Sequence, residues 1–106
     1  MEDEFKVTWT DFAERQLDLI FDYYLMKVGY AVANKIILNL IRSVEILRSH
    51  PESGQLEPSL ASVPTGVRYL VEGNYKVPYF LSGKSVAVID VFDTRRNPKL
   101  IKEGLD

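Results

Sequence analysis

The residues that most constrain the fold run from Val86 to Pro98, VAVIDVFDTRRNP, where a predicted β-strand leads directly into two adjacent arginines. Apolar residues fill both alternating faces, which is typical of a strand inside a sheet. The alternation assigns them to two faces, with Val86, Val88 and Phe92 on one and Ala87, Ile89 and Val91 on the other. Asp90 interrupts this pattern and needs a polar partner if it is buried. We therefore expect a strand from Val86 to Thr94 that places Arg95 and Arg96 at an exposed end.

The arginine pair allows two interpretations. Neighbouring guanidinium groups repel each other, so an acidic partner or ligand is a reasonable expectation. The alternative is that the pair is only solvated, or forms local ion pairs with Asp90 or Asp93, as most surface charges do. The spacing alone leaves both interpretations open.

Composition limits the range of functions. The 106 residues suit one domain, 1–106. The chain has no cysteine and one histidine, His50, so no disulfide framework, metal site or cofactor is expected. The acidic start MEDEF is unlike an export signal, and no apolar run reaches the ~20 residues of a membrane span, so we expect a cytoplasmic protein without membrane contact. Residues 66–106 carry seven Lys/Arg and five Asp/Glu, a net charge of +2, against −4 for residues 1–65, which weakly favours an anionic partner at the C-terminal part.

Two amphipathic helices are predicted after a first strand at Phe5–Trp9. Thr10 or Asp11 caps the first helix, and Gly29 ends it. The second helix covers about Ala31–Ser49, and its apolar residues extend beyond one face. Either this helix lies between the sheet and the first helix, or part of it meets another chain. The short connection makes the two helices an antiparallel hairpin.

The C-terminal half reads as an irregular loop followed by three antiparallel strands. The loop is Gln55–Gly66, and the strands are Val67–Glu72, Tyr75–Leu81 and Val86–Thr94. Pro78 cannot donate to a ladder, so we expect it at a bulge or facing an unpaired side. A tail or short helix starts at about Pro98. The predicted fold class is α+β with two layers, in which an N-terminal strand and an antiparallel helix hairpin pack on a C-terminal antiparallel β-meander.

Several sequence strings together resemble one known family. They are VTWTDFAERQLDLIFDYY at the first helix, HPESGQ after the second, VRYL and NYKVPY in the meander, and TRRNP at the end. In order and spacing they are similar to the ParE/RelE superfamily of bacterial toxins, over Val7 to about Pro98. The resemblance implies the toxin of a type II toxin–antitoxin (plasmid stabilisation) system, held silent by a cognate antitoxin.

The ParE-like branch is the favoured interpretation. It implies a protein that poisons DNA gyrase through a shaped surface and needs no catalytic set. Arg95, Arg96 and Lys99 are the candidate target-binding residues, because they form the basic C-terminal end.

The RelE-like branch is the alternative, and it implies an enzyme that cleaves messenger RNA on the ribosome. Such cleavage needs cations for the phosphorane charge and an acid for the leaving oxygen. Arg68, Lys76 and Arg95 are the candidate cations, but no Tyr or His follows Arg96 to serve as the acid. A third possibility is an inactive, partner-binding member of the superfamily.

The apolar residues of the helix hairpin extend beyond one buried face, and this extra apolar surface predicts where an antitoxin binds. Phe21, Leu38 and Ile46 are the candidate antitoxin-binding residues, on a surface that suits an amphipathic helix or an extended segment. Ordinary packing is an equally good explanation of this width. The oligomeric state stays open, with a homodimer as one option when the antitoxin is absent.

Overall fold

A computed structural model of the protein describes residues 4–57 and 66–95, in which a helix hairpin packs on one face of a sheet. The elements are β1 Lys6–Trp9, α1 Asp11–Lys27, α2 Tyr30–Ser43, a 3₁₀ turn Glu45–Arg48, β2 Gln55–Leu56, β3 Arg68–Glu72, β4 Tyr75–Ser82, β5 Ser85–Val88 and β6 Phe92–Asp93. Within these ranges the strand order is β1-β5-β4-β3-β2, and β6 pairs with β4. The α+β, two-layer prediction is confirmed.

The start and end of α1 follow from local side-chain and backbone chemistry. The Thr10 hydroxyl accepts a hydrogen bond from the Ala13 amide at 3.1 Å, so Thr10 is the cap. Asp11 and Glu14 add negative charge to the first turn, where the helix dipole favours it. Gly29 has a φ of +125°, a conformation that side chains disfavour, and it turns the chain directly into α2.

The second helix is shorter than predicted. It ends at Ser43, and the Ser43 hydroxyl donates to the Leu40 carbonyl at 2.7 Å. The chain then tightens into a 3₁₀ turn, in which residues three apart lie on the same side. This geometry aligns Val44 and Leu47, which are both buried, whereas a continued α-helix would offset them by about 60°. The Arg48 carbonyl then accepts from the Phe5 amide at 2.8 Å and ties the turn to the first strand.

The sheet contains the predicted meander and two further strands. β3, β4 and β5 pair in antiparallel order. β1 pairs in parallel with β5, from Lys6 opposite Ser85 to Trp9 opposite Val88, so β5 lies inside the sheet as expected. β2 pairs with Tyr69 and Arg68, so the prediction of an irregular loop from Gln55 was wrong for its first residues. Residues 58–65 lie outside the described part of the chain.

The predicted strand Val86–Thr94 is interrupted. β5 ends at Val88 and β6 begins at Phe92, because three residues, 89–91, lie opposite two of β4, 77–78. This bulge reverses the alternation, so Val91 joins Val86 and Val88 in the core. The prediction that Phe92 shares a face with Val86 and Val88 was therefore wrong, and Phe92 lies opposite Lys76 instead.

Pro78 and Asp90 both lie at this bulge. Pro78 has no amide hydrogen, and its carbonyl accepts from the Ile89 amide at 3.0 Å. The Asp90 carboxylate accepts from the Val91 amide at 2.7 Å, which gives the interrupting acid its partner. Burial raises the pKa of Asp90, and this hydrogen bond acts in the opposite direction.

The core lies between the hairpin and one face of the sheet. Fully buried apolar residues come from both layers: Ala13, Leu40, Val44, Leu47, Val77, Tyr79, Val86, Val88 and Val91. Burial of this kind stabilises by about 25 cal/mol per Å² of apolar surface, so the two layers hold each other in place. No helix in the described part of the chain is long and apolar enough to span a membrane.

Candidate functional site

Arg95 lies directly after β6, at the end of the sheet, and its side chain is 58% exposed. Its Nε and Nη2 atoms donate to the two oxygens of Asp93, at 3.1 and 2.9 Å, and its backbone amide donates to the same carboxylate at 2.8 Å. These bonds raise the pKa of Arg95. The guanidinium is therefore held in one orientation, with its remaining N–H donors outside the bidentate pair.

The end of β6 is itself fixed to the β3–β4 turn. The Thr94 amide and hydroxyl both donate to the Asn74 carbonyl, at 2.8 and 2.9 Å. Asp93 lies opposite Tyr75 in the register, and both are buried. Burial raises the pKa of Tyr75, and its hydrogen bond with the Tyr24 hydroxyl of α1 adds to the rise. Arg95 thus starts from a rigid base, while Arg96 and Lys99 lie outside the described residues.

Arg68 holds a turn rather than facing a ligand. Its Nη1 atom donates to the carbonyl oxygens of Gly54 and Glu52, at 2.8 and 3.3 Å. The buried Tyr79 hydroxyl holds the same turn, accepting from the Gly54 amide at 2.9 Å and donating to the Pro51 carbonyl at 2.8 Å. A Cβ on Gly54 would lie 2.6 Å from this hydroxyl, so only glycine fits. The HPESGQ string is therefore a turn anchored from two strands.

Lys76 also has partners inside the molecule. Its Nζ atom lies 3.2 Å from Glu57 Oε2 and 4.1 Å from the centre of the Tyr69 ring. Only 9% of the Glu57 side chain and 27% of the Lys76 side chain are exposed. The Tyr69 hydroxyl donates to Gln55 Oε1 at 3.1 Å, which fixes the ring under the ammonium. The cation is shared between a carboxylate and an aromatic face.

The three candidate nuclease cations do not converge. Arg68 lies opposite Tyr79, which faces the helices, whereas Lys76 is three residues from Tyr79 along β4 and so points to the other face. Arg95 lies outside the strands that carry Arg68 and Lys76, just after the end of β6. Each cation also has a carbonyl or carboxylate partner. The register therefore does not bring Arg68 and Lys76 together on one face of the sheet.

No acid–base or metal cluster stands out in residues 4–57 and 66–95. His50 is exposed after the 3₁₀ turn, with Nδ1 2.9 Å from the Ser49 hydroxyl. Within those ranges no group of three or more His, Cys, Asp or Glu residues could hold a metal ion.

The predicted antitoxin-binding residues lie on the hairpin and on the turn after it. Leu38 is 38% and Ile46 is 46% exposed, so both keep apolar surface in solvent. Phe21 is half-buried because its ring meets Tyr30 edge-on, with centroids 6.1 Å apart. Sequence reasoning missed a second exposed line on α1 with helical spacing, formed by Phe12, Leu19, Tyr23 and Met26. The spacing of these residues was the available signal.

Comparisons with known proteins agree with this architecture. Residues 7–98 match the family model of the ParE toxin of the type II toxin–antitoxin system, parDE. A structure of a chromosomal ParDE toxin–antitoxin system from P. aeruginosa is similar, with 25% identity, a TM-score of 0.73, and coverage of 86% of this chain and 97% of that chain. The toxin–antitoxin complex RelBE2 from Mycobacterium tuberculosis shares the fold, with 18% identity, a TM-score of 0.55, and coverage of 85% and 98%. No curated protein matches the sequence.

Proposed function

Because the chain belongs to the ParE toxin family of type II toxin–antitoxin systems, we propose that it inhibits DNA gyrase and is neutralised by a cognate antitoxin. The observation that carries this proposal is the arrangement of Arg68, Lys76 and Arg95. Two of these cations point to opposite faces of the sheet, and all three are occupied, which favours a binding surface over a nuclease site. We place this activity in the cytoplasm, where gyrase acts.

The gyrase-binding surface in this proposal is the end of the sheet around Arg95, continued by Arg96 and Lys99. The ion pair with Asp93 removes the net charge of Arg95 and, with a hydrogen bond to Tyr24, fixes the direction of the guanidinium and of the donors that neither partner uses. Directed donors on a rigid base suit a protein surface, because hydrogen-bond geometry gives specificity without requiring a strong positive field.

The antitoxin in this proposal covers apolar surface of the hairpin and of the turn after it, at the half-buried Phe21 and the exposed Leu38 and Ile46. An amphipathic segment that buries such residues gains affinity from the hydrophobic effect. An antitoxin lying there neutralises the toxin if it also reaches the end of the sheet.

A supercoiling assay tests the proposal. Purified protein is titrated into gyrase with relaxed plasmid and ATP, and inhibition is expected at micromolar concentration. Arg95→Gln is expected to raise the half-inhibitory concentration at least tenfold. Arg48→Gln is the matched control, because the Arg48 side chain is 39% exposed and also bonded to a carboxylate, Glu45, at 2.7 Å, but lies in the turn after α2.

Two results would reverse the proposal. One is the absence of gyrase inhibition together with cleavage of messenger RNA on ribosomes, which selects the RelE-like alternative. The other is equal activity of the Arg95 and Arg48 variants, which removes the end of the sheet from the target surface. Growth arrest on induction, relieved by the protein of the neighbouring reading frame, separates an active toxin from an inert member of the family.

A further inference from the structure

One flank of α1 keeps large apolar side chains in solvent. Phe12, Leu19, Tyr23 and Met26 are 49%, 56%, 44% and 87% exposed. With 3.6 residues per turn, these four side chains lie within about 60° of one another around the helix axis. Phe21, whose ring meets Tyr30 of α2, points about 170° away from the middle of this row. The row, which we call the α1 stripe, is therefore on the flank of α1 that faces away from α2.

The C-terminal end of the α1 stripe lies close to the end of the sheet. The Tyr23 ring meets the Tyr24 ring edge-on, with centroids 5.0 Å apart. Tyr24 in turn packs against the buried cluster that includes Tyr75. Tyr75 lies opposite Asp93 in the register, and Asp93 holds the Arg95 guanidinium. Tyr24, which also hydrogen-bonds to Arg95, thus connects the stripe to the residue at the end of the sheet.

The α1 stripe is separate from the surface that the proposed antitoxin covers. That surface lies at Phe21, on the opposite flank of α1, and continues at Leu38 of α2. A single antitoxin helix, ~10 Å across, cannot cover two flanks of α1 that point about 170° apart. The stripe is thus contiguous with the proposed target surface rather than with the proposed antitoxin surface.

We propose that the α1 stripe and the end of the sheet around Arg95 form one continuous surface for gyrase. Tyrosine, methionine and arginine are enriched at protein interfaces, and truncation of tyrosine or arginine there often costs the most affinity. Because the pair of Arg95 with Asp93 carries no net charge, burial of the stripe has to supply a large share of the affinity. This inference rests on the proposed function, since it adds contacts with the same target.

Glutamine substitutions test the contribution of the stripe in the supercoiling assay. The double variant Leu19→Gln/Met26→Gln removes apolar contact area but keeps similar helix propensity. Its half-inhibitory concentration is expected to be at least tenfold higher than that of the wild type. Leu25→Gln is the matched control, because Leu25 is 41% exposed on the same helix but points about 130° away from the middle of the stripe. The control is expected to stay within twofold of the wild type, and far-ultraviolet circular dichroism checks that each variant is folded.

Photocross-linking tests contact without removing the other apolar residues of the stripe. With p-benzoylphenylalanine in place of Met26, irradiation is expected to attach the toxin to a gyrase subunit, whereas the same probe in place of Leu25 is expected to give no such product.

Three results would overturn the inference, and they separate it from the proposed function. A wild type that does not inhibit gyrase removes both together. A double variant that inhibits as well as the wild type, while Arg95→Gln is weakened, removes the stripe and leaves the proposed function standing. Equal loss in the double variant and in Leu25→Gln, or no cross-link from position 26 to gyrase, also removes the stripe from the target surface.

Discussion

Removing one oxygen atom, with Tyr79→Phe, tests whether the HPESGQ turn is held in place by the sheet. The Tyr79 side chain is fully buried, and its hydroxyl makes two hydrogen bonds, with the Gly54 amide and the Pro51 carbonyl. Phenylalanine keeps the ring and its packing but leaves both backbone groups without this partner. The substitution therefore isolates the two hydrogen bonds from the hydrophobic contribution.

The expected cost follows from burial of these groups. Each buried donor or acceptor that loses its partner costs about 1–3 kcal/mol, and the Pro51 end of the bond is only partly buried. We therefore expect the free energy of unfolding to fall by about 2–4 kcal/mol. For a domain of this size each kcal/mol lowers Tm by roughly 4–5 °C, so Tm is expected to fall by roughly 8–20 °C.

Urea unfolding followed by circular dichroism measures this loss, and Tyr69→Phe is the matched control. The Tyr69 hydroxyl makes one exposed hydrogen bond, to the Gln55 side chain, and its ring stays under Lys76 in the variant. The control is expected to lose at most about 0.5 kcal/mol, as for a solvent-exposed polar change. If both variants unfold at the same urea concentration, then water replaces the Tyr79 hydroxyl, and the turn is not held by the sheet.

Two further predictions concern side chains with charged or titratable groups. Lys76→Met is expected to lower the free energy of unfolding by about 1–2 kcal/mol, because the mostly buried Glu57 carboxylate loses its cation. In a double-mutant cycle measured by urea unfolding, adding Glu57→Gln to this variant is expected to recover part of the loss. Asp90→Asn is expected to increase stability slightly at neutral pH. Burial raises the pKa of Asp90 above its unfolded value, so the wild type loses stability as pH rises through that interval, and thermal unfolding at pH 3 should show no gain.

Local sequence chemistry was sufficient for most of the elements. Thr10 and Gly29 flank the first helix because threonine is a favoured N-cap and glycine adopts positive φ at little cost. The strands of the meander follow from alternation and from the Gly73-Asn74 turn. The early end of α2 has no such local signal: the chain changes to a 3₁₀ turn at Glu45–Arg48, where Val44 and Leu47 are both buried against the rest of the core.

The interruption of the last strand shows why register could not be read from the sequence. Within Val86–Thr94 only Asp90 breaks the apolar pattern, and it does not show how many residues leave the ladder. The interruption coincides with Pro78 on the neighbouring strand β4, which has no amide hydrogen to donate to the ladder. At this point three residues, 89–91, lie opposite two residues of β4, 77–78. Contacts between elements also decided the role of Arg68, because the carbonyl oxygens it holds belong to a turn 14 and 16 residues earlier. A basic residue in a strand gives no local sign of such a partner.

The ion pair of Arg95 bears on what kind of target the end of the sheet can bind. A ligand anion that took the guanidinium away from Asp93 would deprive the Asp93 carboxylate, which is only 8% exposed, of its bidentate partner, and this opposes the exchange. A target that accepts only the remaining N–H donors leaves the pair intact. Because the pair carries no net charge, such a contact gains little from long-range attraction and depends on shape and hydrogen-bond direction. This favours a folded protein surface over a nucleic-acid backbone as the target of Arg95. It predicts that the part of gyrase inhibition that is lost in Arg95→Gln depends only weakly on salt, in contrast to the steep dependence expected for binding to phosphates.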